Sequence, residues 1–145
     1  MKKIIISVAI LIASNSFAQM TETKKLASGA AGWKISMEIK NGTDTSVYFF
    51  YGYQNKAYDY ITDIGSVFFT EEEELIDFAN SLKTLSTKEN GVQVQLRVSS
   101  ATLKLYDFSN NIYIEDNNGK YTYVTKKQAI KLADEFLLNA KYLRK

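Results

Sequence analysis

Val92-Gln93-Val94-Gln95-Leu96-Arg97-Val98 alternates apolar and polar residues without a break. From Thr125 onward, Ala129, Leu132, Ala133, Phe136, Leu137, Ala140 and Leu143 recur at helical spacing. The first pattern has the period of a strand with one buried face; the second has the period of an amphipathic helix. Between them lie two more apolar alternations and three reversals. Ser99-Ser100 reads as a turn, after which Leu103 and Leu105 continue the apolar face. Asn110-Asn111 marks a second reversal, Ile112 and Ile114 a third strand, and Asp116 to Gly119 a turn of residues that tolerate left-handed backbone. Tyr121 to Val124 completes the set. Thr125-x-x-Gln128 then forms a capping box, in which hydroxyl and amide each satisfy an orphan donor at the helix start. Residues 91–145 thus read as four strands and a helix.

The upstream residues 33–85 follow the same plan. Trp33, Ile35, Met37 and Ile39 alternate with polar residues, and Asn41-Gly42 is a strong hairpin signal. Val47 to Tyr53 is the returning strand; Tyr58 to Ile64 and Ser66 to Phe69 are shorter candidates. Thr70, with Glu73 three residues on, offers a capping box, and Leu75, Phe78, Ala79, Leu82 and Leu85 form the apolar stripe that follows. Glu71 to Glu74 suit the positive end of the helix dipole, and consecutive carboxylates fan around a helix instead of converging on a metal. Thr70 and Thr125 stand 55 positions apart, with Gly65 and Gly119 shortly before them. The reading is a duplicated unit: an α+β domain over 33–145, built of two strand-strand-strand-strand-helix repeats (33–85 and 91–145). An antiparallel sheet is expected to carry the helices on one face and to leave the other open.

The N-terminus carries a different signal. Lys2 and Lys3, the apolar run Ile4 to Ala13, and Ser16-Phe17-Ala18 have the layout of a secretory signal peptide over 1–18, with cleavage after Ala18. The apolar run is half the roughly 20 residues a membrane span requires. No cysteine follows it, so lipid attachment through cysteine is excluded. The expectation is an exported bacterial protein, periplasmic or extracellular, with no span after cleavage, and with 19–32 as a flexible leader. Loss of Lys2 and Lys3 leaves 16 basic and 16 acidic residues, so the basic character of the whole chain argues for no nucleic-acid partner. Residues 19–85 carry 6 basic and 10 acidic groups and residues 86–145 carry 10 and 6, a polarity that reads as two solvated faces of opposite sign.

Histidine and cysteine are absent, which removes Ser-His and Cys-His nucleophiles and the commonest transition-metal ligand. No nucleophile elbow, Ser-x-x-Lys motif or phosphate-cradling glycine loop is present. Neither cofactor nor metal is expected, and Asp116-Asn117-Asn118-Gly119 reads as a hairpin turn, not a calcium loop. Asp59 and Asp63 are the carboxylates of an aromatic strand region and the basis for an alternative, a small exported hydrolase. At i and i+4 on a strand they would stand roughly 13 Å apart, too far for a paired-carboxylate mechanism without a bend.

What remains is aromatic. Tyr48 and Phe50 alternate with Phe49, Tyr51 and Tyr53, and Tyr106 and Tyr113 fall opposite the aliphatic residues of their strands. Tyr48, Phe50, Tyr106 and Tyr113 are therefore the candidate binding residues of an open sheet face, offered to a protein, a sugar or a peptide. The competing reading packs these rings where the two halves meet. The element order resembles that of the PUR and PC4-type single-stranded nucleic-acid-binding folds, a resemblance that implies such a fold over most of the mature chain. The basic groove of those folds is missing, because Lys126, Lys127, Lys131 and Lys141 lie on a helix. The expected function is an exported, non-enzymatic binding or protein-interaction module, with inhibition of a partner protein as one form of it.

Overall fold

The computed structural model describes residues 21–29, 31–57, 64–88 and 91–145. Its strands are β1 (Thr21–Ser28), β2 (Trp33–Lys40), β3 (Asp44–Gln54) and β4 (Ile64–Phe69), followed by helix α1 (Glu72–Thr87). Then come β5 (Gln93–Val98), β6 (Ala101–Phe108), β7 (Asn111–Asp116), β8 (Tyr121–Thr125) and helix α2 (Lys126–Asn139), which ends in a 3-10 turn over Ala140–Leu143. Each group of four strands forms its own antiparallel meander, in the order β1-β2-β3-β4 and β5-β6-β7-β8. The α+β plan of two strand-helix units is therefore present, as two sheets.

The first unit reaches its four strands differently from the sequence expectation. Part of the 19–32 leader, expected to be flexible, is β1, paired along its length with β2 from Thr21↔Lys40 to Ser28↔Lys34. Its side chains are mostly exposed, so no apolar alternation announced it; backbone pairing with the strongly patterned β2 holds it. The Tyr58–Ile64 candidate lies outside the described residues except for Ile64, which begins β4. Asp59, Asp63 and the leader peptide likewise lie outside them. At the β2–β3 hairpin Asn41 and Gly42 have φ of 51° and 74°, as their side chains permit. The β6–β7 reversal sits one residue earlier than read, on Ser109 (φ 50°) and Asn110 (φ 65°), so Asn111 already belongs to β7.

Both helices bury the stripes expected of them, except that Leu137 is only half-buried. Leu75, Phe78, Ala79, Leu82 and Leu85 are buried on α1, and Ala129, Leu132, Ala133 and Phe136 on α2, with Ala140 and Leu143 buried in the turn beyond. The caps differ. Thr125 is the N-cap of α2, its hydroxyl accepting from the Gln128 amide at 3.2 Å while Gln128 Oε1 accepts from the Thr125 amide at 3.0 Å. Thr70 caps nothing: α1 begins two residues later, with Glu71 at the N-cap and no side-chain cap bond. The Thr70 hydroxyl is engaged instead with Ser99 Oγ at 2.8 Å, and Glu74, not Glu73, reaches back to the Thr70 amide. A tertiary partner outcompeted the local box.

The halves are interlocked. Phe136 of α2 sits within 4.7 to 6.3 Å, ring to ring, of Trp33, Phe49, Tyr51 and Phe78, so the last helix completes the aromatic core of the first sheet. Helix α1 in turn packs against β5, β6 and β7 of the second sheet. The turns of the second sheet lie along the outer edge of β4. The Phe68 amide donates to Ser100 Oγ at 2.8 Å, the same hydroxyl donates to the Phe68 carbonyl, and Lys120 Nζ donates to the Ile64 carbonyl. Side chains thus satisfy edge groups that would otherwise template pairing with another chain. Farther along the seam, Tyr53 passes over Gly65 and its hydroxyl donates to Asp116 Oδ2, while the same carboxylate's Oδ1 accepts the amides of Asn118 and Lys120. One buried ion pair closes the end of the second unit. Lys126 Nζ lies 2.7 Å from Asp107 Oδ2, whose side chain is fully buried, and also donates to the Lys88 carbonyl.

Candidate functional site

Because both helices lie against the inner faces, strand parity decides what each sheet shows on the other side. On the second sheet the register brings Gln93, Tyr106, Tyr113 and Tyr123 into one row across four strands, and Gln95, Lys104, Glu115 and Tyr121 into the next. Tyr106 and Tyr113 stack with centroids 5.1 Å apart and planes 9° from parallel. Tyr113 also contacts Tyr123 at 5.4 Å, Tyr121 at 6.0 Å and Phe108 at 6.2 Å, so four rings surround it. Lys104 Nζ stands 5.1 Å from the Tyr106 ring centre, within cation–π range. Burial first, and then the negative charge of the hydrogen-bonded Glu115, push the Tyr106 phenol above its ordinary pKa.

The first sheet repeats the arrangement with fewer hydroxyls. Phe50 and Phe68 face each other across β3 and β4 at 5.1 Å, Tyr48 lies 5.9 Å from Phe68, and Lys34 Nζ sits 5.0 Å over the Phe50 ring. Beside them Gly52 leaves a gap in the row. It forms a shallow cavity of about 590 Å³ lined by Phe50, Gly52, Tyr53, Gln54 and Ile64.

The four residues singled out from sequence therefore occupy two clusters, Tyr48 with Phe50 and Tyr106 with Tyr113, on different sheets. All four are half-buried by their neighbours on the face that the helices leave uncovered. The rings that pack where the halves meet are instead those of opposite parity, Tyr51 and Tyr53, together with Trp33 and Phe49. Burial pushes the Tyr51 phenol up to about 12, and burial with the Asp116 charge raises that of Tyr53 further.

Sequence reading missed Phe68, Phe108, Tyr121 and Tyr123, which complete the clusters; Phe108 is 63% and Tyr123 44% exposed. Parity held the signal for three of them. Phe68 alternates with Val67 and Phe69, and Tyr121 and Tyr123 flank Thr122. Among the described residues, no group of three or more carboxylates is placed to share a metal ion, and no helix is long and apolar enough to cross a membrane.

The arrangement supplies hydroxyls, amides, ring edges and two ring-bound lysines on a solid support, which is equipment for binding. Compared with protein-family models, with curated proteins and with solved structures, the chain shows no significant match to any.

Proposed function

We propose that this protein is an exported, non-enzymatic interaction module that holds another protein against its open aromatic faces, in the manner of an inhibitor. The observation that carries the reading is the Gln93–Tyr106–Tyr113–Tyr123 row, which none of the described elements covers. Tyrosine is enriched at protein interfaces because it combines a large rigid ring with a hydrogen-bonding end. The stacking adds a discriminating detail. With Tyr106 and Tyr113 turned face to face, their ring faces are occupied by each other and by Lys104, and ring edges and the Tyr113 hydroxyl are left to the partner. That presentation suits the mixed polar surface of a protein better than the flat face of a sugar ring.

The test compares affinity-tagged parent with a Phe108→Ala/Tyr123→Ala variant, both produced in the native host. A partner retained by the parent and lost by the variant, with equal stability of the two, supports the reading. Equal retention by both removes the face from the function. Mass spectrometry of the same material should find a chain beginning at Gln19; an intact Met1 chain would overturn export.

A further inference from the structure

A second surface with different chemistry lies at the other side of β8. A cavity of about 370 Å³ opens between the β1–β2 turn and helix α2, lined by Ala31, Tyr123, Val124, Gln128, Lys131, Leu132 and Glu135. That volume falls in the range of small-ligand sites, about 300–1,000 Å³. Its floor is apolar, from Val124 and Leu132. Its rim is polar, and the polar groups are of three kinds.

The first is backbone. Strand β8 is an outer strand, and groups along its length point alternately toward β7 and away from it. The Tyr121 amide and carbonyl point away, to Asn55 Oδ1 and the Lys56 amide, and the Thr125 amide points away to Gln128. Tyr123 lies between them in the same phase. Its N–H and C=O therefore face the cavity, and neither has a partner among the described residues.

The second kind is a pair of donors, Lys131 Nζ and the Gln128 side-chain NH2. The capping box uses only the Gln128 oxygen, and Lys131 makes no ion pair among the described residues. The third is an acceptor. The Glu135 carboxylate is held in place by the Trp33 indole, which donates to its Oε2 at 2.8 Å, leaving Oε1 for another donor.

We propose that this groove binds a short extended peptide by its backbone. The peptide's amide adds to the free edge at Tyr123, its terminal carboxylate meets Lys131 and Gln128, and its terminal ammonium meets Glu135. Strand addition to an exposed edge is a recurrent mode of peptide capture. The spacing selects the length. Gln128 and Glu135 are separated by seven helical residues, about 10 Å along the axis, and three extended residues also span about 10 Å. A tripeptide with both ends free fits the distance and the signs of charge together. This site shares only the Tyr123 residue with the aromatic row, through its backbone instead of its ring, so it stands or falls apart from the reading above.

Calorimetric titration with tri-alanine tests it, with emission of Trp33, the only tryptophan in the chain, as a second readout. Tri-alanine should bind saturably and perturb Trp33, while N-acetyl tri-alanine and tri-alanine amide should each bind about tenfold or more weakly, one charge-assisted contact being lost. Lys131→Ala should weaken the free acid and abolish its advantage over the amide. Glu135→Gln, which keeps an acceptor for Trp33, should abolish the advantage of the free amine over the acetylated form. Absence of saturable binding at millimolar tri-alanine, or equal binding of free and blocked peptides, would overturn the proposal.

Discussion

The Tyr53 hydroxyl donates to Asp116 Oδ2 over 3.1 Å, and its ring reaches that position only by crossing the bare backbone of Gly65. A Cβ added at Gly65 would lie 2.1 Å from Tyr53 Cε2, a separation that no ring can keep. Gly65→Ala should therefore displace the ring and destabilise by about 1–3 kcal/mol. Tyr53→Phe, which keeps the ring and removes the donor, should cost a similar amount, about 1–3 kcal/mol, because a buried carboxylate oxygen loses its partner. Urea unfolding midpoints read both. In a Tyr53→Leu background Gly65→Ala should cost much less; an unchanged cost would show that the ring is not what the methyl strikes.

The Lys126–Asp107 pair predicts an asymmetric response. Lys126→Met leaves a buried carboxylate uncompensated and should destabilise by about 3–5 kcal/mol, whereas adding Asp107→Asn to it should recover part of that loss. A double-mutant cycle by chemical denaturation measures the recovery. No recovery would mean that Asp107 is solvated in solution.

The two threonines once paired by pattern now separate by position. Thr125→Ala removes a working N-cap and should cost about 1 kcal/mol. Thr70→Ala loses an exposed hydrogen bond to Ser99 and should stay within about 0.5 kcal/mol. Thermal melts of the two single variants distinguish them, and equal losses would contradict the placement of the α1 start.

On the open face, stability and binding should come apart. Tyr113→Ala breaks contacts with four rings and should cost about 1–3 kcal/mol. Phe108→Ala and Tyr123→Ala, at the exposed border, should remain within about 1 kcal/mol of the parent while weakening partner binding. If all three variants destabilise equally, the row serves packing alone.

Alkaline pH should unfold this protein through its inner tyrosines. Tyr51 has its folded-state pKa raised from 10.0 to about 12, so the fold favours the neutral phenol. Its contribution is fully present below about pH 10 and is lost as pH rises toward about 12, where the unfolded chain releases the proton more readily. Tyr53 acts in the same direction. Phenolate absorbance followed alongside circular dichroism should show these groups ionising with unfolding. Tyr51→Phe should shift the alkaline transition upward, and an unshifted transition would discard this account.

The legible elements were those whose burial is one-sided and local. Leu75 to Leu85 and Ala129 to Phe136 announce their helices because each helix needs one continuous apolar stripe, and β5 to β7 announce themselves by strict alternation. Illegible elements depend on a partner in space and carry no pattern of their own. Thr21 to Ser28 becomes a strand because β2 offers it an edge, and Thr70 engages Ser99 with its hydroxyl instead of capping α1. The groove beside β8 was invisible for the same reason. Trp33 and Glu135, which shape it, are 102 positions apart.

That separation has a consequence for the order of events in the cell. The first sheet emerges from the ribosome early, yet a ring of its core belongs to Phe136, on helix α2, which is made only after the whole second sheet. The growing chain therefore cannot complete the aromatic core of the first sheet until α2 has been made, and contacts of such long range also form slowly. Until then Trp33 and Phe49 lack the ring that packs against both, so the final packing of the early half is set by a helix encoded far downstream.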